Sequence, residues 1–343
     1  MATLKDIARI AGTSEATVSL VLNGKQFHRV SEKMREKIEA IARDLQYQPN
    51  RQAQVLASGR TMTIAVLVNT LTNAFYSGYV GRLELRLSER GYNVSPFETL
   101  SDPDRERHML QMASRKMCDA IISLDHSVDP VADEAISGEP VVARVEDFDD
   151  ELVLAPSLPS VQIDYAPATR AMFEHFKKEG ARRLALVMSK NHQLDAPDPS
   201  LRASFFRSLV ESSGWASDLA TVAISEAVPS EEWFEATRSL LERNPGVDAL
   251  YVHNAHVAPP VLAAITASGR AVGRDIAVAT FDDPDYARWL QPALAVVREP
   301  SEAVADAIVS RILATIGRGP EAAEPPAAPL AAEFVPRASA SLA

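Results

Sequence analysis

The chain has 343 residues, too long for one small core, so two or three domains are expected. Hydrophobic residues make up 46% and charged residues 24%, which excludes wholesale disorder and fibrous repeats. The formal charge of −11 argues against nucleic acid as a partner only until its distribution is read: residues 1–60 hold ten basic side chains against six acidic ones, leaving −15 for the rest. The single cysteine, Cys118, excludes an internal disulfide and sits in an apolar run. No apolar signal core opens the sequence, and no stretch approaches roughly 18 consecutive apolar residues, so a cytoplasmic protein with no membrane partner is expected.

In chain order, Leu4, Ile7, Ala8 and Ala11 fall at helical spacing, with Thr3 and Asp6 as a capping signal and Gly12-Thr13 as the break. Ser14 caps a second predicted helix that turns Val18, Val21 and Leu22 inward and stops at Asn23-Gly24. Ser31 opens a third, with Ile38, Ile41, Ala42 and Leu45 as its apolar stripe and Pro49 as its end. Two short helices joined by a tight glycine-containing turn describe a helix-turn-helix, whose second helix is sized for a DNA major groove. The same pattern also occurs in helical hairpins that never meet DNA.

From residue 62 short apolar strands alternate with amphipathic helices. Strands are predicted at Thr63–Val68, Tyr92–Phe97, Asp119–Leu124 and Pro140–Val145, with helices at Phe75–Arg90 and Pro103–Lys116. After the acidic stretch Glu146–Pro159 the alternation restarts at Val161–Asp164, Arg183–Met188, Ala249–Val252 and Ile276–Phe281. Such alternation implies two lobes, each a doubly wound parallel sheet. Leu294–Arg298 and a helix from Ser301 to about Ile316 read as crossing back to the first lobe. Gly317–Pro329 reads as a linker, and Glu333–Val335 as a last strand.

The wording of the first sixty residues is more specific than their pattern. Thr3-Leu4-Lys5-Asp6-Ile7-Ala8, Gly12-Thr13-Ser14, Ala16-Thr17-Val18-Ser19, Val21-Leu22-Asn23-Gly24, Val30-Ser31 and Tyr47-Gln48-Pro49-Asn50 resemble the headpiece of the lactose-repressor (LacI/GalR) family of bacterial transcription regulators. Looser echoes follow at Asn73-Ala74-Phe75-Tyr76, Ser101-Asp102-Pro103, Val161-Gln162-Ile163-Asp164, Phe281-Asp282-Asp283 and Gln291-Pro292-Ala293-Leu294.

The resemblance implies an α/β chain with an all-α helix-turn-helix headpiece at 1–49, a hinge helix and linker at 50–60, and a periplasmic-binding-protein-like effector and dimerisation domain at 61–343. Its first lobe is expected at about 61–160 plus 294–318, and its second at about 161–293 plus 330–343. It further implies a dimeric, sequence-specific regulator of the repressor type that binds double-stranded, near-palindromic operator DNA. A small polar, carbohydrate-like effector would control it, with no cofactor and no metal.

Glu15, Ala16, Ser19 and Leu20 face outward on the second helix and are the candidate base readers. The family commonly has arginine where Leu20 stands; leucine suits a thymine methyl, and Glu15 a cytosine amino group. Leu20 as a packing residue and Glu15 as a solvated charge are the plainer alternatives. Thr17, Asn23, Arg29, Ser31 and Arg35 fit phosphate contacts, with a helix cap or a solvated charge as the plainer alternative for any one of them, and Thr3, Lys5, Ser14 and Asn50 complete the candidate DNA-binding set. In the hinge, with Ala53, Leu56 matches a leucine that wedges into the minor groove.

Effector candidates follow strand ends: Asn73, Phe75, Tyr76, Asp125 and Arg144 in the first lobe, Asp164 and Tyr165 at the crossing, and Arg202, Asn254 and Asp282 in the second. Asp164 and Asp282 as mere turn caps are the plainer alternative. Two departures, His253-Asn254-Ala255 and Asp164-Tyr165, mark a remodelled pocket. His253 and His256, without a third ligand nearby, are a weak metal signal. A two-lobed solute-binding protein would leave the basic head without a purpose, and an enzyme would need a catalytic constellation that the motifs do not supply.

Overall fold

A computed structural model describes residues 2–22, 30–47, 59–100, 102–114, 117–124, 141–147, 160–189, 210–211, 220–224, 230–316 and 328–342. The chain forms two compact units, Met1–Thr61 and Met62–Ala343.

The first unit contains α1 (Leu4–Ala11), α2 (Glu15–Leu22) and α3 (Glu32–Asp44). Ile7, Ala8 and Ala11 of α1, Val18 and Val21 of α2, and Ile38 and Ala42 of α3 form its core. The capping box at α1 is present: the Asp6 amide donates to Thr3 Oγ1 at 3.3 Å, and the Thr3 amide donates to Asp6 Oδ2 at 3.0 Å. Hydrogen bonds donated by the Thr3 hydroxyl and then by its amide hold the Asp6 carboxyl below its ordinary range. Gly12 closes α1 in the left-handed region, φ 73°, where a side chain would be strained. Helix α3 stops four residues before Pro49: Gln46 turns left-handed at φ 47°, and the Tyr47 amide reaches back to the Ala42 carbonyl at 2.9 Å. Leu45, expected in the apolar stripe, caps that helix and is exposed. Thr3→Ala is expected to lower the stability of this unit by about 1 kcal/mol, since it removes a side-chain cap. The midpoint of its helical melting transition checks this, and an unchanged midpoint would show that the box contributes nothing.

The second unit holds two six-stranded sheets. The first is built from β1 (Thr63–Val68), β2 (Asn93–Glu98), β3 (Ala120–Ser123), β4 (Val141–Asp147), β5 (Ser160–Asp164) and β11 (Leu330–Ala331), in the order β11-β5-β4-β3-β1-β2. The second is built from β6 (Leu184–Ser189), β7 (Ala220–Ile224), β8 (Ala249–Val252), β9 (Ala277–Phe281), β10 (Ala295–Arg298) and β12 (Glu333–Val335), in the order β12-β10-β9-β8-β6-β7. All pairings are parallel except that of β10 with β12. Each sheet therefore carries a topological switch point, between β1 and β3 and between β6 and β8.

Strand β1 is buried on both faces, as a central parallel strand must be. Ile64, Val66 and Val68 pack with Tyr79, Leu83 and Leu87 of α4 (Ala74–Ser88) and with Val304, Ile308 and Ile312 of α9 (Ser301–Thr315). Ala65 and Leu67 pack on the other side with Cys118 and with Leu110 of α5 (Pro103–Ser114). Burial pushes the Cys118 thiol up to about 11, so it serves as a small hydrophobe. In the second lobe, α6 (Ala166–Lys178) places Met172, Phe173 and Phe176 in the core, while α7 (Ser230–Arg243) and α8 (Ala258–Ala267) cover the opposite face with Trp233, Leu240, Val261 and Ile265.

The expected lobe boundaries need correction. Ser160–Asp164, assigned to the second lobe, pairs with β4 in the first sheet, Val145 opposite Val161. Ala295–Arg298, read as crossing back, stays in the second sheet beside β9; only α9 crosses, packing on α4, β4 and β5. Leu330–Ala331 joins the first sheet at β5, and Glu333–Val335 joins the second. The reason is that a strand's sheet is chosen by the edge available to it, and neither the alternating Val161-Gln162-Ile163-Asp164 nor the apolar Ala295-Val296-Val297 specifies one edge over the other. The described chain therefore crosses between lobes after Asp164, after Arg298 and between Ala331 and Glu333.

Candidate nucleic-acid interface and effector cleft

In the first unit, Val18 and Val21 turn α2 inward and leave Glu15 and Ala16 exposed, with Ser19 and Leu20 half-buried beside them. The outer face of α2 thus carries Glu15, Ala16, Ser19 and Leu20, none of which belongs to the unit's hydrophobic core. Ser14 caps α2, its Oγ accepting from the Thr17 amide at 3.2 Å and lying 2.9 Å from Thr17 Oγ1. Thr3 is exposed but its hydroxyl already donates to Asp6 Oδ2 at 2.7 Å, which makes its first role that of a cap. Ser31 begins α3 without a side-chain cap bond, and Arg35 sits between Glu32 and Glu39 at 3.7 and 3.9 Å. Lys5 is exposed. Asn23, Arg29, Asn50, Ala53 and Leu56 lie outside the described residues.

In the second unit, the effector candidates cluster around the carboxyl ends of the strands. Asn73 is buried and caps α4, its Oδ1 accepting from the Phe75 amide at 3.0 Å. Phe75 meets Tyr76 and Tyr79 edge-on at ring distances of 5.0 and 5.1 Å. Tyr165, at the first crossing, packs on Phe281 at 5.2 Å, and Phe281 meets Tyr251 at 5.6 Å. Asp164 is a turn cap, with Oδ1 accepting from the Ala166 amide at 2.9 Å. Asn254 is buried and caps the short turn after β8, accepting from the Val257 amide at 3.2 Å. Asp282 follows β9 in the left-handed region at φ 69°.

Three residues that the sequence did not mark, Tyr79, Tyr286 and Glu299, connect parts of this set. Glu299, buried at the second crossing, accepts hydrogen bonds from Tyr79 and, at 2.8 Å, from Tyr165. One carboxylate thus ties the first lobe's α4 to the first and second crossings. Tyr286 donates to the Ala255 carbonyl at 2.8 Å, linking the Asn254 turn to the Asp282 turn. Burial, followed by the charge of Asp282, pushes the Tyr286 phenol up to about 12. Burial and the charge of Glu299 push the Tyr79 phenol above the ordinary tyrosine range, so both phenols remain hydrogen-bond donors. The signal for Tyr79 was its place four residues after Phe75 on one helix face. Glu299 offered only an acid closing an apolar strand.

Asp125, Arg202 and the Ser189–Ser200 loop beyond Ser189 lie outside the described residues. Arg144 is on β4, in register with Ser123 and Ser160, and its side chain is outside the described set. His253 is buried while His256 is exposed, so they do not converge. Among the described residues no group of three or more His, Cys, Asp or Glu is placed to hold a metal, and no helix is long and apolar enough to cross a membrane.

A helix-turn-helix unit followed by a two-lobed body with polar switch points defines the class of DNA-binding regulators that carry an effector body. Comparison with known proteins makes this specific. Residues 3–50 match the family described as bacterial regulatory proteins, lacI family, and residues 173–340 match a periplasmic binding protein-like domain. The chain is 30% identical over 325 residues to the ribose operon repressor of Escherichia coli K12, covering 91% of this chain and 93% of that one. The fold is similar to that of the lac repressor dimer bound to operator and the anti-inducer ONPF, with TM-score 0.81, 24% identity, and 100% and 99% of the two chains covered. It is also similar to the transcriptional regulator CelR in its cellobiose complex, with TM-score 0.65, 25% identity, and 99% and 100% covered. The chain belongs to the lacI family of bacterial regulatory proteins. It is a DNA-binding transcriptional repressor under effector control.

Proposed function

We propose that this repressor acts in the cytoplasm as a homodimer, binds a near-palindromic operator through two copies of α2, and responds to a carbohydrate held between its lobes. Each α2 reads only a few base pairs, so a two-fold pair is needed for a useful site. Glu15, Ala16, Ser19 and Leu20 read base edges. Ser14, Thr17, Ser31, Lys5 and Arg35 meet phosphates, with Thr3 holding the helix end that presents them. Asn23, Arg29 and Asn50 add backbone contacts, and Ala53 and Leu56 enter the minor groove.

The effector meets Asn73, Phe75, Tyr76, Asp125 and Arg144 from the first lobe, Asp164 and Tyr165 at the crossing, and Arg202, Asn254 and Asp282 from the second. The observation that supports this reading is the Glu299 junction, where one buried carboxylate accepts from Tyr79 and Tyr165 while Tyr165 packs on Phe281. Aromatic faces and paired acceptors suit a hydroxyl-rich ring. The ribose named for one relative and the cellobiose bound to another point to the same chemical class.

A thermal-shift series with D-ribose, cellobiose, sucrose and D-galactose, followed by titration of selected operator DNA at fixed salt, tests the proposal. At least one sugar is expected to raise the melting temperature and change operator affinity, by about 1–3 kcal/mol of coupling. Asp282→Ala removes that response and preserves sugar-free DNA binding. Sugar binding with unchanged DNA affinity, or equal affinity for random and selected DNA, would overturn it.

A further inference from the structure

The turn that carries Asp282 is held in a conformation its own residue disfavours. A left-handed non-glycine residue at φ 69° persists only where the surroundings fix it. Two anchors do so. The Asp282 amide donates to the Val297 carbonyl at 3.0 Å. The next side chain, Asp283, is 3% exposed, and its Oδ2 accepts from Arg337 Nη2 at 2.7 Å and from Arg298 Nη1 at 3.3 Å.

The two arginines are not equivalent. Arg298 is half-exposed and shared with Glu333, to which its Nε donates at 2.9 Å. Arg337 is 14% exposed, and its Nη1 donates to the Leu294 carbonyl at 2.8 Å, so one planar guanidinium spans the start of β10 and the turn after β9. Asp283 Oδ1 has no hydrogen-bond partner among the described residues, which leaves the buried carboxylate dependent on these guanidinium groups. The segment bearing Arg337 is itself pinned. Ser339 Oγ accepts from the Ala295 amide at 2.8 Å and donates to the Val278 carbonyl at 2.7 Å.

We propose that Arg337 is a positioning residue of the effector site: by clamping the buried Asp283 carboxylate, it fixes the strained turn that presents Asp282. This rests on the reading of Asp282 as an effector contact. The C-terminal segment thereby sets the geometry of a site it does not touch. A buried ion pair of this kind contributes more to a defined arrangement than to net stability.

The test uses the full chain as wild type, Arg337→Met, Arg337→Lys and Asp282→Asn. Hydrogen exchange of the amides in residues 281–287 is followed without ligand. Calorimetry measures affinity for D-ribose, cellobiose, sucrose and D-galactose, and operator binding is titrated without sugar. Arg337→Met is expected to speed exchange in that turn about tenfold or more, since local opening loses a buried charged anchor, while β8 exchanges as in wild type. It weakens whichever sugar binds wild type about tenfold and leaves sugar-free operator binding unchanged. Arg337→Lys keeps a charge on Asp283 but loses the second donor, and recovers most of the affinity. Asp282→Asn weakens the sugar without changing exchange.

Wild-type exchange in Arg337→Met, or wild-type sugar affinity in Arg337→Met where Asp282→Asn loses it, overturns the proposal. If no sugar of the thermal-shift series binds wild type, or Asp282→Asn binds normally the one that does, the reading of Asp282 fails instead. The clamp is then decided by exchange alone: an accelerated turn upholds it, and an unaccelerated one ends it.

Discussion

Ile7→Ala is expected to abolish operator binding while leaving the melting transition of the second unit in place. Ile7 is fully buried where α1 meets Val18 of α2 and Ile38 of α3. Truncating such a residue costs about 2–5 kcal/mol, part of it from the cavity left behind. A helical unit of this size has little to spare, because below about 70–80 residues a single core rarely supplies more than 3–5 kcal/mol. The first unit of the variant should therefore be largely unfolded, and α2, whose outer face carries the proposed base readers, loses its support. Far-UV circular dichroism and operator titration at one salt concentration check this together. Retained helicity with lost DNA binding would contradict the argument, because it would place Ile7 in recognition and not in the core.

Glu299→Ala is expected to destabilise the second unit by about 2–5 kcal/mol, because it removes the acceptor shared by two phenols and leaves a cavity beside them. The Tyr79 and Tyr165 hydroxyls both donate to this carboxylate, and Tyr79 is itself fully buried. Glu299→Gln should cost far less, since the amide keeps the shape, one oxygen acceptor and a nitrogen that can donate to the second phenol. Urea unfolding of the two variants under one set of conditions measures the difference. Equal midpoints for Ala and Gln would mean that the phenols gain nothing from the acceptor. The same pair bears on the proposed control by ligand, because the junction joins the first two of the three crossings between the lobes.

The first unit was legible in the sequence because every rule that shapes it is local. A capping box spans three residues, an apolar stripe spans two turns, and a left-handed glycine ends a helix wherever it falls. Even the misreading there was local: α3 was extended to Pro49, whereas its own backbone closes at Gln46. In the second unit the strands were legible as apolar runs, and β1, β8 and β12 lie where they were expected.

What the sequence alone determined, then, was the family, the helical head and the alternation of strands and helices, since adjacent residues encode all three. Only the tertiary structure decided which sheet each strand joins and which polar groups meet. A short strand such as Val161–Ile163 satisfies any parallel edge, and the edge it finds is set by β4, not by its own residues. Glu299 carries no local signal, because its partners are 220 and 134 residues away in sequence. A buried carboxylate is tolerable only when donors come to it, and which donors arrive is fixed by packing.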